Sequence, residues 1–294
     1  MTFERVVRPA GPFSLALSAR HASDATRRLR DGVLVTTLRL GDRVEVGSAE
    51  QTFDGRVVLR AASEEGFERL RFLTALDADH SEFLRRFARD PMIGEATLRF
   101  QGMRQLRLST VAHTLLRALC GQLIEARRAR DLERTVVRAV EPRVPGTQLH
   151  APPTCASFAR LAPARLRQLG LHARRAAALV RICRSVDLER LHELPTAAAA
   201  DFIERQRGLG PWSAGVVCLE GLGRYDRGLV GDLTLIKLMS RLRGRWVEGH
   251  ETAELLAPYG EWAGLAGIYL ATAFAHGLIP LPEKRPVRLR PAFT

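Results

Sequence analysis

Residues 207–215 have the sequence Arg-Gly-Leu-Gly-Pro-Trp-Ser-Ala-Gly, and this stretch decides how the rest of the chain is interpreted. The residues before it predict a helix that starts at Thr196, as the N-cap, and runs to about Arg207. Gly208 can adopt the left-handed conformation that ends a helix, and Pro211 is favoured at the first position of the next one. The pattern therefore predicts two helices joined by a very tight turn.

A turn of this kind favours the binding of an anion. Glycines at 208 and 210 let the backbone approach a ligand closely, and the dipole of the second helix places positive charge at its first N–H groups. Leu209, between the glycines, is expected to fill the core below the turn. The alternative is an ordinary turn between two helices that binds no ligand, since such a turn would use the same residues. The short turn and the basic chain favour a grip on DNA phosphates, which positions DNA without reading its bases.

Asp232 follows in the segment Val-Gly-Asp-Leu-Thr-Leu-Ile-Lys, residues 230–237. The amphipathic pattern after it predicts a helix whose N-cap is Asp232. Taken alone, a capping role is the simpler interpretation of this aspartate. A carboxylate fixed at a helix start can also stabilise a positive charge that develops during a reaction.

The composition points to a polyanionic partner. The chain has 294 residues and a formal net charge of +13, with a pI of about 11.0, which favours nucleic acid. Its four cysteines are far apart and none is in a Cys-x-x-Cys motif, so zinc or cluster spacing is absent. No apolar run reaches the length of a membrane span, about 18 residues. We expect a cytoplasmic protein with no membrane partner.

The order of the patterns predicts an α+β fold. An antiparallel sheet is expected within residues 1–62, from strands at 13–17, 33–46 (a hairpin around Gly41-Asp42) and 56–60, with a flanking helix at 24–30. Helical patterns follow at 65–76, from an N-cap at Ser81, at 110–140, and at 154–160, 163–168 and 172–186. The expected domains are a sheet domain at 1–70, a helical domain at 71–280 and a basic Pro-rich tail at 281–294.

Residues 209–214 within this frame resemble the hairpin of the helix-hairpin-helix (HhH-GPD) superfamily of DNA glycosylases. The superfamily is named for that hairpin and for a Gly/Pro-rich loop followed by an aspartate, here residues 221–228 and Asp232. Further segments at 76–79, 88–91, 117–123 and 169–176 resemble the family, so the similarity covers about residues 70–275. The predicted N-terminal sheet resembles the AlkA-like 3-methyladenine glycosylase branch.

The resemblance implies a base excision repair enzyme that acts on damaged double-stranded DNA. Such an enzyme flips a nucleotide out of the helix and cuts its N-glycosidic bond, with Asp232 stabilising the sugar cation and orienting water. The DNA-binding hairpin would comprise Gly208, Leu209, Gly210, Trp212 and Ser213. Gln122 and Leu123 would fill the gap left in the stack, with Leu123 as the wedge. A core position is the alternative for Leu123.

Trp212 bears on the type of reaction. Bifunctional members of the superfamily have a lysine at this hairpin position, which attacks the sugar and leads to strand cleavage. The tryptophan, as in AlkA-like members, implies a monofunctional hydrolase that leaves an abasic site, and Lys237 is in the wrong position for the lysine's role. The indole could stack on an alkylated, positively charged purine. The alternative is a structural tryptophan packed between helices.

The chain departs from the family where a second base-stacking tryptophan is usual, because it has Ala271 there. Tyr269 and Tyr225 are the candidates for the missing wall of the base pocket. No cysteine follows Cys218, which excludes the iron–sulfur cluster of the endonuclease III-like branch. We expect no required cofactor and no metal in the site. The family hairpin can hold a monovalent or divalent ion through turn carbonyls near Arg207 and Leu209.

The sequence leaves three functions open. The first is a monomeric, monofunctional glycosylase for alkylated purines. The second is a glycosylase for oxidised or deaminated bases on the same scaffold. The third is a non-catalytic DNA-binding protein that kept the hairpin, although such a protein would have no reason to keep an acid at position 232.

Overall fold

The protein was analysed as a computed structural model that describes residues 3–122 and 124–282. It has the predicted α+β architecture, with one five-stranded antiparallel sheet in the order β1-β5-β4-β3-β2 followed by many helices. The strands are β1 (Phe3–Val7), β2 (Arg27–Arg30), β3 (Val33–Leu40), β4 (Arg43–Gln51) and β5 (Val57–Ala61). Leu123 and nearly all of the expected tail lie outside the described residues.

The hairpin of β3 and β4 confirms the sequence pattern. Gly41 has φ 56° at the turn, a left-handed conformation that glycine adopts at little cost. Alternate residues of β3, such as Leu34 and Leu38, are buried beneath the sheet, where they pack against α2 (Glu64–Leu73). The strand predicted at 56–60 is also confirmed, as β5.

Two predictions in this region are wrong. The strand at 13–17 is a short helix, α1 (Leu15–Ala19), whose N-cap Ser14 accepts a hydrogen bond from the N–H of Leu17. Leu15 and Ala19, four residues apart, both face the core, and this spacing satisfies a helix as well as a strand. The helix at 24–30 is a turn followed by β2, because Asp24 Oδ1 binds the N–H and hydroxyl of Thr26 and competes with helical hydrogen bonds.

The remaining helices include those predicted, with the stretch at 110–140 divided into two, and three that were not predicted, α4, α13 and α14. They are α3 (Ser81–Arg86), α4 (Gly94–Arg99), α5 (Val111–Gly121), α6 (Ala126–Val140), α7 (Cys155–Ala159), α8 (Pro163–Gln168), α9 (Ala173–Ser185), α10 (Thr196–Glu204), α11 (Pro211–Val216), α12 (Leu233–Arg243), α13 (Thr252–Leu256) and α14 (Ala263–Ala275). Ser81 and Thr196 are the first helical residues rather than N-caps. Helix α10 ends at Glu204, three residues before the predicted end. No described helix meets the length and apolarity required to cross a membrane.

Helix α5 is the central element that carries residues to the site. Nine of its eleven residues are buried, and it packs against α6, α9 and α11. Arg117, four residues before the last residue of α5, binds three carboxylates, those of Asp24, Glu133 and Glu220. Burial alone would raise the pKa of Asp24, but the neighbouring guanidinium groups outweigh it and hold that pKa well below its usual range. This network joins α5 to the turn before β2, to α6 and to the segment that follows α11.

Candidate active site

One large cleft, of about 1260 Å³, contains most of the predicted site residues. Its walls come from the hairpin between α10 and α11, the start of α12, the end of α5, α1 and one face of α14. The predicted site residues in it are Gly208, Gly210, Trp212, Ser213, Asp232 and Gln122. The fold therefore brings together predicted site residues that lie more than a hundred positions apart in the sequence, such as Gln122 and Asp232.

The hairpin has the conformation predicted from its glycines. Gly208 has φ 93°, and Pro211 is the first residue of α11. Within residues 3–122 and 124–282, apart from the chain neighbours of each glycine, no heavy atom lies within 4 Å of the position that a Cβ would take at Gly208 or Gly210, so a ligand can approach this backbone closely. Leu209 packs against the core, as expected.

Gln122 connects the hairpin to the end of α5. Its Nε2 donates hydrogen bonds to the carbonyl of Gly208 at 3.0 Å and to the buried Ser213 Oγ at 3.2 Å. The backbone carbonyl of Gln122 accepts a bond from the Arg175 guanidinium at 2.7 Å. Gln122 therefore stabilises the turn, and its amide donor is already in use. The predicted wedge, Leu123, lies outside the described residues.

Asp232 is the N-cap of α12, and its carboxylate is held on both oxygens. Oδ1 accepts hydrogen bonds from the backbone N–H of Thr234 at 2.8 Å and of Leu235 at 3.3 Å. Oδ2 accepts a bond from Trp212 Nε1 at 3.1 Å. The side chain is half-buried and lines the cleft. The carboxylate of Asp232 thus caps α12 and at the same time faces the cleft, where a ligand can reach it.

Trp212 is clamped between two glycines. A Cβ added to Gly121 would lie 2.7 Å from Cη2 of the indole, and one added to Gly231 would lie 3.8 Å from Trp212 Cβ. The ring therefore lies directly against the backbone at the end of α5. The contact with Gly121 holds the indole where its N–H reaches Asp232. The sequence did not indicate this positioning role of Gly121.

The two tyrosines predicted for the pocket are not part of it. Tyr269 is fully buried, and its hydroxyl donates to the carbonyl of Phe100 at 3.2 Å. Tyr225 packs against His80 and Trp262 in the core behind the cleft. Neither belongs to the wall of the cleft. The predicted pocket role is therefore wrong for both, since α14 turns Tyr269 inward.

The face of α14 that lines the cleft is made of small and aliphatic side chains, Ile268, Ala271, Thr272 and Ala275. Residues of α1 and of the segments that follow α1 and α4 complete this wall: Leu17, Arg20, His21, Met103 and Arg104. Burial lowers the pKa of His21, and Arg20 and Arg130 lower it further. No local sequence pattern indicates this wall, because its parts come together from positions about 250 residues apart.

Metal-ligating side chains do not cluster in residues 3–122 and 124–282: no group of three or more His, Cys, Asp or Glu is placed to hold an ion. Two turn carbonyls have protein donors, since Arg181 binds that of Arg207 at 3.2 Å and Gln122 binds that of Gly208. Each of these two carbonyls accepts one hydrogen bond and keeps a second lone pair.

The known proteins to which this chain is similar in sequence or fold are DNA glycosylases. No family model matches the sequence. A DNA-3-methyladenine glycosylase of Bacillus subtilis (strain 168) is 22% identical over 281 residues, which cover 87% of this chain and 91% of the relative. The structure of a 3-methyladenine DNA-glycosylase from Archaeoglobus fulgidus superposes with a TM-score of 0.80 at 20% identity, covering 93% of this chain and 98% of that one.

A second solved structure is the Clostridium acetobutylicum 8-oxoguanine glycosylase/lyase in complex with dsDNA containing cytosine opposite 8-oxoG. It superposes with a TM-score of 0.74 at 18% identity, covering 94% of this chain and 98% of that one. These similarities confirm the resemblance that the hairpin and Asp232 indicated. The chain has the fold of the helix-hairpin-helix superfamily of DNA glycosylases.

Proposed function

We propose that this protein is a monofunctional DNA N-glycosylase of base excision repair. It flips a damaged purine, above all an alkylated one, out of double-stranded DNA and hydrolyses its N-glycosidic bond to leave an abasic site. The observation that carries the proposal is the carboxylate of Asp232, held by three N–H donors at the wall of the large cleft. The AlkA-like branch is supported by the N-terminal sheet and by the two similar 3-methyladenine glycosylases.

Asp232 supplies the electrostatic part of the reaction. Breaking the bond between C1′ and the base gives the sugar oxocarbenium character, and a fixed negative charge beside it lowers the energy of that state. The two backbone donors and the indole hold both carboxylate oxygens, so little reorganisation is needed as the charge develops. The same carboxylate orients the water that adds to C1′. The reaction requires no cofactor.

DNA binding is proposed to use the hairpin and the basic cleft. The open backbone at Gly208 and Gly210 would hold a phosphate, and Arg130 and Lys237 add positive charge to the same cleft. Phosphate contacts of this kind position the duplex and make binding sensitive to salt. We expect a monomer on damaged duplex DNA.

The monofunctional assignment rests on Trp212. It occupies the hairpin position of the lysine nucleophile, and its indole N–H is directed at Asp232. The chain has only two lysines, and Lys237, five residues after Asp232, also lines the cleft. Lys237 is therefore the side chain to test if amine chemistry occurs.

The test uses duplex DNA methylated with dimethyl sulfate. Free bases are separated by chromatography, strand breaks are measured with and without alkali, and covalent complexes are trapped with borohydride. We expect release of methylated purines, strand breaks only after alkali, and no trapped complex. Intact DNA binding without base release would overturn the glycosylase proposal. Trapping that is lost in Lys237→Met would overturn the monofunctional assignment and identify the amine.

A further inference from the structure

Two of the four cysteines meet where α7 packs against the last turn of α9. Cys155 is the first residue of α7, and Cys183 lies two residues before the end of α9. Cys183 is 6% exposed and belongs to the core cluster around α5 and α9, and Cys155 packs against the same cluster. Neither thiol lines the cleft that contains Asp232, so the reaction proposed above does not use them.

Contacts on both sides of Cys183 fix α7 along this turn. The backbone N–H of Leu188, which follows α9, donates to Cys155 Sγ at 3.5 Å. The guanidinium of Arg184 donates to the carbonyl of Ala159, at the end of α7, at 2.9 Å. Both ends of α7 are therefore bonded to residues close to Cys183. Between these two bonds the thiols of Cys155 and Cys183 interact directly with each other.

The two thiols differ in access and in acidity. Cys155 is partly exposed, whereas Cys183 is buried. A hydrogen bond with Cys183 lowers the pKa of the Cys155 thiol, and the Leu188 N–H lowers it further against the opposing effect of burial. The same bond, together with burial, raises the pKa of Cys183. Because the thiolate is the reactive form, Cys155 is the thiol that meets and attacks a reagent first.

The other two cysteines differ from this pair. Cys120 and Cys218 are both 0% exposed. Burial raises the pKa of Cys218 to about 12 and that of Cys120 well above its usual range. Both therefore stay protonated at neutral pH and out of reach of a reagent in the folded protein.

We propose that Cys155 and Cys183 are a redox-active pair that a hydroperoxide oxidises to a disulfide joining α7 to α9. With hydrogen peroxide, the Cys155 thiolate attacks one oxygen, the O–O bond breaks, and the departing hydroxide takes up a proton to become water. The sulfur of Cys183 then attacks Sγ of the resulting sulfenic acid. The S–O bond breaks, and the hydroxyl leaves as water with the thiol proton of Cys183. The two thiols lose two electrons, the peroxide gains them, and an external dithiol reverses the change by exchange.

The disulfide would act on a helix that supports the DNA side of the protein. Arg175 and Arg181 of α9 bind the carbonyls of Gln122 and Arg207, at the end of α5 and at the hairpin. Closing a loop of about 28 residues restricts the unfolded chain and so stabilises the folded state in which these contacts exist. The proposal is independent of the glycosylase function.

The test treats the reduced full-length protein with hydrogen peroxide and then alkylates the remaining thiols with iodoacetamide in denaturant. By mass spectrometry we expect the loss of two hydrogen atoms, a linked peptide pair containing Cys155 and Cys183, and alkylation of Cys120 and Cys218 alone. Dithiothreitol should restore four alkylated thiols. The melting temperature of the oxidised protein should rise by about 5 °C over that of the reduced protein.

Three variants separate the steps. In Cys183→Ser the same dose should leave a sulfenic acid on Cys155, which dimedone traps, and no disulfide. In Cys155→Ser the thiol of Cys183 should remain reduced, because it is buried and protonated. Cys218→Ala is the matched control, since it removes a cysteine outside the pair and should form the disulfide as the parent does. Melting of each reduced variant shows that it is folded.

Four alkylated thiols in the peroxide-treated parent would overturn the proposal. So would a sulfenic acid that persists on Cys155 while Cys183 is intact, because the second thiol would then be out of reach. Oxidation of Cys183 in Cys155→Ser would contradict the order of the two steps. Base release is measured separately, so the loss of this proposal would leave the function proposed above intact.

Discussion

The contact between Gly121 and Trp212 offers a sensitive test of how Asp232 is positioned. In Gly121→Ala the new Cβ would lie 2.7 Å from Trp212 Cη2, so the indole must move by about 0.7 Å to restore an ordinary contact of 3.4 Å. The indole N–H would then leave its present 3.1 Å distance from Asp232 Oδ2. The substitution thus acts on the carboxylate of Asp232 through the indole, without touching the carboxylate directly.

The loss should appear in catalysis rather than in stability. A hydrogen bond to a charged group contributes about 1.5–3 kcal/mol, which corresponds to about a 10- to 100-fold fall in the rate of base release. Alanine is the better helix former at this position of α5, so the fold should tolerate the change. The assay is single-turnover release of 7-methylguanine, with affinity measured on a duplex containing a stable abasic analogue.

Trp212→Phe supplies the matched comparison. Phenylalanine lacks both the N–H donor and the ring atom that meets the new Cβ. It should lose about as much rate as Gly121→Ala, and the double variant should lose no more than Trp212→Phe alone. Losses that simply multiply, or a Gly121→Ala protein that releases base at the parental rate, would refute the positioning role.

Three further predictions concern the supports of the site. Gln122→Ala removes the donor that joins α5 to Gly208 and Ser213, so DNA affinity should fall about tenfold in a binding titration; unchanged affinity would contradict the link. Burial lowers the folded-state pKa of His80 to about 3, below the ordinary 6.5 of the unfolded chain. Its contribution to stability is therefore complete above pH 6.5 and is lost as the pH falls towards 3. Denaturation should show about 2 kcal/mol lost between pH 7.5 and 5. His80→Phe should remove that part of the slope, and an identical slope would exclude His80 as its source. Arg117→Met removes the guanidinium that three carboxylates share, although Asp24 keeps Arg27 and Glu133 keeps His113. It should lower the free energy of unfolding by about 3 kcal/mol; a loss below about 1 kcal/mol would show that the network relaxes.

The parts of the site that the sequence predicted are those set by local backbone chemistry. Gly208 and Pro211 specify the turn through their own dihedral preferences, and Asp232 caps the helix that follows it directly. The hairpin at Gly41 is local in the same way. In these cases the residues that determine the conformation lie within a few positions of it.

The parts that were missed depend on long-range packing. Helix α14 is apolar on almost every side, so no polar stripe shows which face lines the cleft. Tyr269 and Ala271 are two positions apart, and only the packed helix shows that Ala271 faces the cleft. Arg20 meets Thr272 across 252 positions of sequence, which no local pattern reports.

The predictions of the short elements near the N-terminus were wrong for a different reason. Five residues of alternating pattern at 13–17 fit a strand and a single helical turn equally well, and the cap at Ser14 decided the outcome. Asp24 and Arg27 form buried polar contacts that no hydrophobic pattern reveals. The centre of the sheet follows from the strands that were predicted, and the unpredicted strands β1 and β2 are added at its two edges.

The central claim is that the carboxylate of Asp232 drives base release. The most direct measurement is single-turnover release of 7-methylguanine by Asp232→Asn, at enzyme concentrations that saturate the DNA. Asparagine can keep the cap at Thr234 with its side-chain oxygen but lacks the charge. We predict parental DNA affinity and a fall in the release rate of at least about 10²-fold. Release at the parental rate from fully bound DNA would contradict the account.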